Sequence, residues 1–128
     1  MITDTFDDFK VKALKSLQAA REDTKAKLSD NPDVLISQLS ITASHYARLQ
    51  YILADADYWY KINKAELLPK SEEGGTALEK QVKLEAASAA YRNWRDMIDN
   101  YAKALKERIS LGQSALGYYK ELKSSNAG

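Results

Sequence analysis

The chain has 128 residues, enough for one domain with a real core or for one elongated helical unit. Charged residues make up 29% of it and apolar residues 45%, with only five glycines and two prolines, which points to a helix-rich fold rather than a disordered or β-rich one. Nineteen basic against eighteen acidic side chains leave +1, so no global basic field advertises nucleic-acid binding, and zero cysteines exclude disulfides and thiolate metal sites.

The opening stretch, MITDTFDDFK, is acidic and lacks the basic-then-apolar layout of a signal peptide. No apolar run approaches the roughly 20 residues that span a bilayer. The expectation is therefore a soluble, cytoplasmic chain without a membrane partner. A first helix is predicted over about 4–29, with Phe6, Phe9, Leu14, Leu17 and Leu28 as its packing residues.

SDNPDV ends that helix and starts the next. Asn31 is a good N-cap, and Pro32 suits the first helical position, where its missing N–H does no harm. The second helix is predicted over 32–68. Its seam runs Leu35, Leu39, Thr42, Tyr46, Leu49, Leu53, Ala56, Tyr60, Asn63, Leu67, alternating steps of four and three in the coiled-coil period. Pro69 and Gly74-Gly75 then break the pattern, and Thr76 with Glu79 forms a capping-box signature.

The third helix is predicted over 76–123, on the order of 70 Å long. Its seam is Leu84, Ala87, Tyr91, Trp94, Ile98, Tyr101, Leu105, Ile109, Gly112, Leu116, Tyr119, with a stutter at Leu105–Ile109. Strand signals are absent. Together these patterns predict an all-α fold in one domain. Its core is a long antiparallel helical hairpin with the N-terminal helix packed along it, and the C-terminal helix extends beyond its partner. Surplus apolar residues on that last helix indicate another copy of the chain. The predicted oligomer interface comprises Leu105, Ile109, Leu111, Gly112, Ala115, Leu116, Tyr118, Tyr119 and Leu122. Gly112 and Gly117 each cost about 1 kcal/mol against alanine in a helix, so close helix approach or a bend is expected near them.

No catalytic constellation is present, and the expectation is a non-enzyme without cofactor or metal. The single histidine, His45, has no cysteine to activate. Asp55 and Asp57 point to different faces, and Asp96 with Asp99 lacks the His or Glu-x-x-His companions of a metal site. Gly74-Gly75 is followed by Thr and Ala rather than by the Gly-Lys-Ser/Thr of a phosphate loop. The mixed charges Arg92, Arg95, Asp96, Asp99, Lys103, Lys106, Glu107 and Arg108 read as a solvated face.

Binding has more to stand on. Arg48, Tyr51, Asp55, Tyr58 and Ile62 form one stripe beside the seam, and Trp59 lies on a neighbouring stripe with His45 and Ile52. Lys61, Lys64 and Lys70 cluster near the helix end. Rings interleaved with cations are what sequence-tolerant single-strand binders use, since every base has a face to stack and every phosphate takes a cation. The candidate DNA-binding residues are Arg48, Tyr51, Tyr58, Lys61, Lys64 and Lys70. Of the three consecutive rings, Tyr60 belongs to the seam, Trp59 to helix or subunit packing, and Tyr58 to a ligand.

The stretch YRNWRDMIDNYAKALKERISLGQ, 91–113, resembles the closing helix of the UvsY-type recombination mediators of tailed bacteriophages. Trp94, Asp99, Ala104, Leu105, Ser110 and Gly112 stand at matching spacings, and YARLQYILADA resembles the long helix that precedes it in that family. The resemblance covers most of the chain in layout and about twenty residues in letters. It implies a non-enzymatic, ring-forming protein that binds single-stranded DNA. Such a protein helps a phage recombinase displace single-strand-binding protein, in the cytoplasm of the host. It also implies that the closing helix serves subunit association. The DNA contacts, by position, fall near Lys61, Lys64 and Lys70, although NKAELLPKSEEGG is less basic there than the family pattern. The residues leave two other readings open: a helical interaction module, inhibitor or adaptor, in which Tyr58 and Trp59 are interface anchors, and a purely structural coiled-coil subunit.

Overall fold

The computed structural model describes residues 5–71 and 75–127, with the backbone alone at 68–71 and 125–127. Its elements are α1 (Phe6–Lys25), α2 (Pro32–Ser71) and α3 (Ala77–Ala127), and no strand occurs among the described residues.

Each helix starts on a side-chain cap. Thr5 and Asp8 form a reciprocal capping box, each side chain accepting the other's backbone N–H at 3.2 Å. Asn31 Oδ1 accepts from the N–H groups of Asp33 at 3.0 Å and Val34 at 3.3 Å, with Pro32 as the first helical residue. Thr76 Oγ1 accepts from Glu79 N at 3.2 Å. Just before it, Gly75 takes a positive φ of 94°, a conformation that favours glycine.

Two boundaries differ from expectation. α1 stops at Lys25 rather than near 29, because the connector finds other partners for its backbone. Ser29 N donates to Gln38 Oε1 at 2.8 Å, Gln38 Nε2 donates to the Lys27 carbonyl at 3.0 Å, and Asn31 N donates to Ser29 Oγ at 3.0 Å. A residue before proline also resists helical geometry. α2 runs through Pro69 to Ser71 instead of ending at 68. Pro69 has no N–H to give to that last turn, so the helix passes through it with one hydrogen bond fewer.

α2 and α3 pair as an antiparallel hairpin. The register is fixed by contacts along its length: Leu39 against Gly112, Thr42 with Arg108, Asp57 with Arg95, Lys64 with Glu85. α1 lies in one groove of this pair, its start beside Trp59 and Tyr91 and its end beside Thr42 and Arg108. It therefore runs antiparallel to α2 and parallel to α3. The shared core consists of Phe9, Ala13, Leu17 and Ala20 from α1, Leu49, Ile52 and Ala56 from α2, and Ile98, Ala102 and Leu105 from α3. Each fully buried leucine or isoleucine here contributes about 1.5–3 kcal/mol. At the start of α1, Phe6 stacks on Tyr91 at 4.3 Å between centroids, and Phe9 meets Trp94 edge-on at 6.3 Å.

Several predicted core positions move by one residue. Leu14 is exposed, and Ala13, Ser16 and Ala20 are buried instead. Small side chains let α1 settle close to the hairpin, and Leu14 sits about 100° round the helix from Ala13. On α3 the seam passes through buried Ser88, whose hydroxyl donates to the Leu84 carbonyl at 2.8 Å, and Ala87 faces solvent.

The larger correction is Arg108, expected on a solvated face and found buried. Its Nη1 donates to the Ala26 carbonyl at 2.7 Å, at the C-terminal end of α1, where helix carbonyls lack intrahelical partners. Nε reaches Thr42 Oγ1 at 3.4 Å and Asp23 Oδ2 at 3.9 Å, and the Thr42 hydroxyl donates to that same carboxylate at 2.6 Å. Arg108 Nη2 is buried with no partner among the described residues. All three helices meet in this polar cluster.

Candidate nucleic-acid interface

Tyr58 follows Tyr51 by seven helical positions, about two turns and about 10.5 Å along α2, so both rings project from one side. That side faces water. Tyr51 is 72% exposed and Tyr58 45%. Arg48, one turn before Tyr51, is exposed and makes no ion pair among the described residues. Asp55 and Ile62, on the same stripe, are half-buried.

The three consecutive rings have three different surroundings. Tyr60 is buried on the α3 side, where its hydroxyl donates to Glu85 Oε2 at 3.3 Å. Trp59 packs on Phe6 of α1 at 5.8 Å, and its indole N–H is buried without a partner among the described residues. Tyr58 touches Trp59 edge-on at 5.9 Å and leaves just under half of its surface open to water.

The lysines divide. Lys61 lies on the outward flank, 73% exposed, in an i,i+4 pair with Asp57 at 2.7 Å. Lys64 stands four residues from Tyr60 and so turns into the α2–α3 groove, away from the stripe. There its Nζ lies 2.8 Å from Glu85 Oε1 and 5.1 Å from the centre of the Tyr60 ring. The expected cluster of Lys61 and Lys64 is therefore divided, Lys61 on the outward flank and Lys64 in the neighbouring groove. The side chain of Lys70 lies outside the described residues.

Glu85 holds more than Lys64. Its Oε2 accepts from Arg92 Nη1 at 2.9 Å, while the Arg95 guanidinium lies over the Tyr60 ring, 4.5 Å from its centre. The hydrogen bond from Lys64 holds the Glu85 carboxyl below its ordinary range against the opposing effect of desolvation, and the same bond raises Lys64. Sequence periodicity misses Glu85, Arg92 and Arg95 as parts of one site. The signal lies in the hairpin register, which sets these α3 residues opposite 57–64.

Beside this cluster is an open groove of about 510 Å³ lined by Gln50, Leu53, Ala54, Asp57, Arg95, Asp96 and Asp99. Its carboxylates are matched by cations: Asp57 by Lys61, Asp96 by Arg95 at 3.3 Å, Asp99 by Lys103 at 2.9 Å. The Asp99 hydrogen bond raises Lys103. Among the described residues, no group of three or more His, Cys, Asp or Glu is placed to hold a metal ion.

The predicted oligomer interface also divides. Leu105 is wholly buried in the core, and Gly112 is buried under Leu39, so neither has surface to offer a partner. Ile109, Ala115, Leu116 and Tyr119 are half-buried. Leu111, Tyr118 and Leu122 are exposed. With Leu39 level with Gly112 and α2 starting at Pro32, the last turns of α3 run past the end of their partner helix. Among the described residues, no helix is long and apolar enough to cross a membrane.

Comparison of the chain with protein-family models, with curated proteins and with solved structures gives no match.

Proposed function

We propose that the chain is a non-enzymatic, self-associating helical protein that holds single-stranded DNA along the outward face of α2. The observation that carries this reading is the pair of exposed rings, Tyr51 and Tyr58, beside Arg48, which is unpaired among the described residues. Exposed rings cost hydration unless something stacks on them, and a base stacks without regard to sequence. The half-buried Asp55 and the Asp57–Lys61 pair keep the charge of one copy low. Repetition of the stripe around an assembly compensates, since phosphate contacts add along one strand. The exposed Leu111, Tyr118 and Leu122 supply apolar surface for that assembly. Following the UvsY-type resemblance, the role we assign is that of a mediator, which loads a recombinase onto DNA held by single-strand-binding protein.

The test is fluorescence anisotropy with labelled oligonucleotides over a salt series, alongside light scattering for mass. The expected result is salt-sensitive, sequence-tolerant binding by an assembly. Tyr51→Ser and Tyr58→Ser each weaken it by about 1–3 kcal/mol, the worth of one stacked base, with mass unchanged. A monomer with no single-strand affinity at low salt overturns the proposal. A second reading, docking of a protein partner on the same rings, is favoured by Ile62 and Asp55 on the stripe. It predicts no oligonucleotide binding from an otherwise intact assembly.

A further inference from the structure

In the α2–α3 groove, one carboxylate gathers three hydrogen-bond donors from two helices. Glu85 Oε1 takes Lys64, and Oε2 takes Arg92 and the Tyr60 hydroxyl, all between 2.8 and 3.3 Å. Two of these donors are fixed by more than the carboxylate. Tyr60 is buried, and its ring carries Lys64 on one contact and Arg95 on another. Glu85, Lys64 and Arg92 keep 34%, 31% and 37% of their side-chain surface open to solvent. An anion from outside can therefore reach the same donors.

A backbone phosphate presents what Glu85 presents: two acceptor oxygens on one centre and a single negative charge. We infer that Glu85 is an internal stand-in for phosphate, which keeps Lys64, Arg92 and the Tyr60 hydroxyl assembled as a phosphate seat from which a bound single strand displaces it. The seat flanks the exposed stripe. Lys61 stands between Tyr58 and the groove, so a strand stacked on Tyr51 and Tyr58 needs only to cross Lys61 to place its next phosphate there. The inference rests on the proposed binding of single-stranded DNA and adds an affinity brake to it. Exchanging one half-buried carboxylate for a phosphate keeps each cation paired, so engagement has a small net gain and is reversed by salt.

The experiment compares the full-length chain with Glu85→Gln and Glu107→Gln by anisotropy on a labelled thymidine oligonucleotide, with circular dichroism for fold. Glu107 is an exposed α3 carboxylate with no ion pair among the described residues, and its loss changes net charge without freeing a cation. Glu85→Gln is expected to tighten binding about tenfold at low salt, and Glu107→Gln to shift it far less. In the native background, Lys64→Gln with Arg92→Gln is expected to lower the slope of log affinity on log salt by about 0.7 for each phosphate that no longer meets a cation. This double variant decides the matter if Glu85→Gln fails to fold. If the wild-type chain binds but Glu85→Gln tightens it no more than Glu107→Gln, or the double variant keeps the full slope, the seat is wrong and the proposed function stands. If the wild-type chain and Glu85→Gln both fail to bind at low salt, the two fall together.

Discussion

Asp23 and Glu85 each tie cations across a boundary between helices, in surroundings that differ mainly in water. Asp23 and Arg108 keep about a tenth of their side-chain surface open, at the point where the end of α1 meets both other helices. Glu85 and its partners keep about a third, in the groove on α2 and α3. A buried pair cannot be half-removed, because the remaining charge has no water to return to. A half-exposed pair can exchange partners at little cost. One arrangement therefore fixes where α1 sits, and the other leaves cations that can be handed to a ligand.

Arg108→Ala tests the buried side of this contrast most severely. It leaves Asp23 buried beside only Thr42, and a loss of about 3–5 kcal/mol is expected in urea unfolding. Arg108→Met combined with Asp23→Leu is expected to recover most of that, since apolar replacements of similar volume need no partners. If Arg108→Ala costs no more than Lys64→Ala, the contrast between the two clusters fails.

Next in size are the two glycines of α3, which are expected to respond with opposite signs. A Cβ on Gly112 overlaps the Cδ and Cγ atoms of Leu39, so Gly112→Ala forces that leucine aside and costs about 1–3 kcal/mol. Among the described residues, no side chain or neighbouring helix lies within 4 Å of the corresponding position on Gly117. Gly117→Ala is expected to stabilise the chain by up to about 1 kcal/mol, measured by the same unfolding curves.

The smallest effect is in pH. Glu85 has a folded-state pKa below its ordinary value, so its contribution to stability is present at neutral pH and is lost as pH falls through the lowered value. Lys64 is raised, so its contribution is likewise present at neutral pH and disappears only as pH rises beyond its ordinary value through the raised one. The difference in urea midpoint between the wild-type chain and Glu85→Gln is expected to stay level through neutrality and to shrink in acid below the usual carboxylate range. A difference that shrinks around neutrality instead contradicts the pairing of Glu85 with Lys64.

The three helices are legible in the sequence because their signals are local. Asn31 before Pro32 and Thr76 before Glu79 mark starts within four residues, and the four-three rhythm from Leu35 to Leu67 needs only one helix to be seen. The placement of α1 is not legible there. Whether Ala13 or Leu14 faces the hairpin depends on partners such as Leu49 and Ile98, dozens of residues away. For the same reason Arg108 reads as one more solvated charge: its partners, Asp23, Ala26 and Thr42, lie 66 or more residues from it in the chain. The exposed rings Tyr51 and Tyr58 are readable from spacing alone. The removal of Lys64 from their company is not, since Glu85 enters only through the register of the hairpin.

The parallel alignment of α1 with α3 also orders events in time. A ribosome completes α1 first, but the groove it fills exists only once α3 has been made as far as Arg108 and has turned back along α2. At roughly 5–20 residues per second, the apolar side of α1 waits several seconds for its partners. The α2–α3 hairpin pairs helices that are adjacent in the chain, whereas α1 must also reach α3, with more than eighty residues between Ala26 and Arg108. In refolding, α1 is accordingly expected to be the last element to gain protection from amide exchange and the first to lose it.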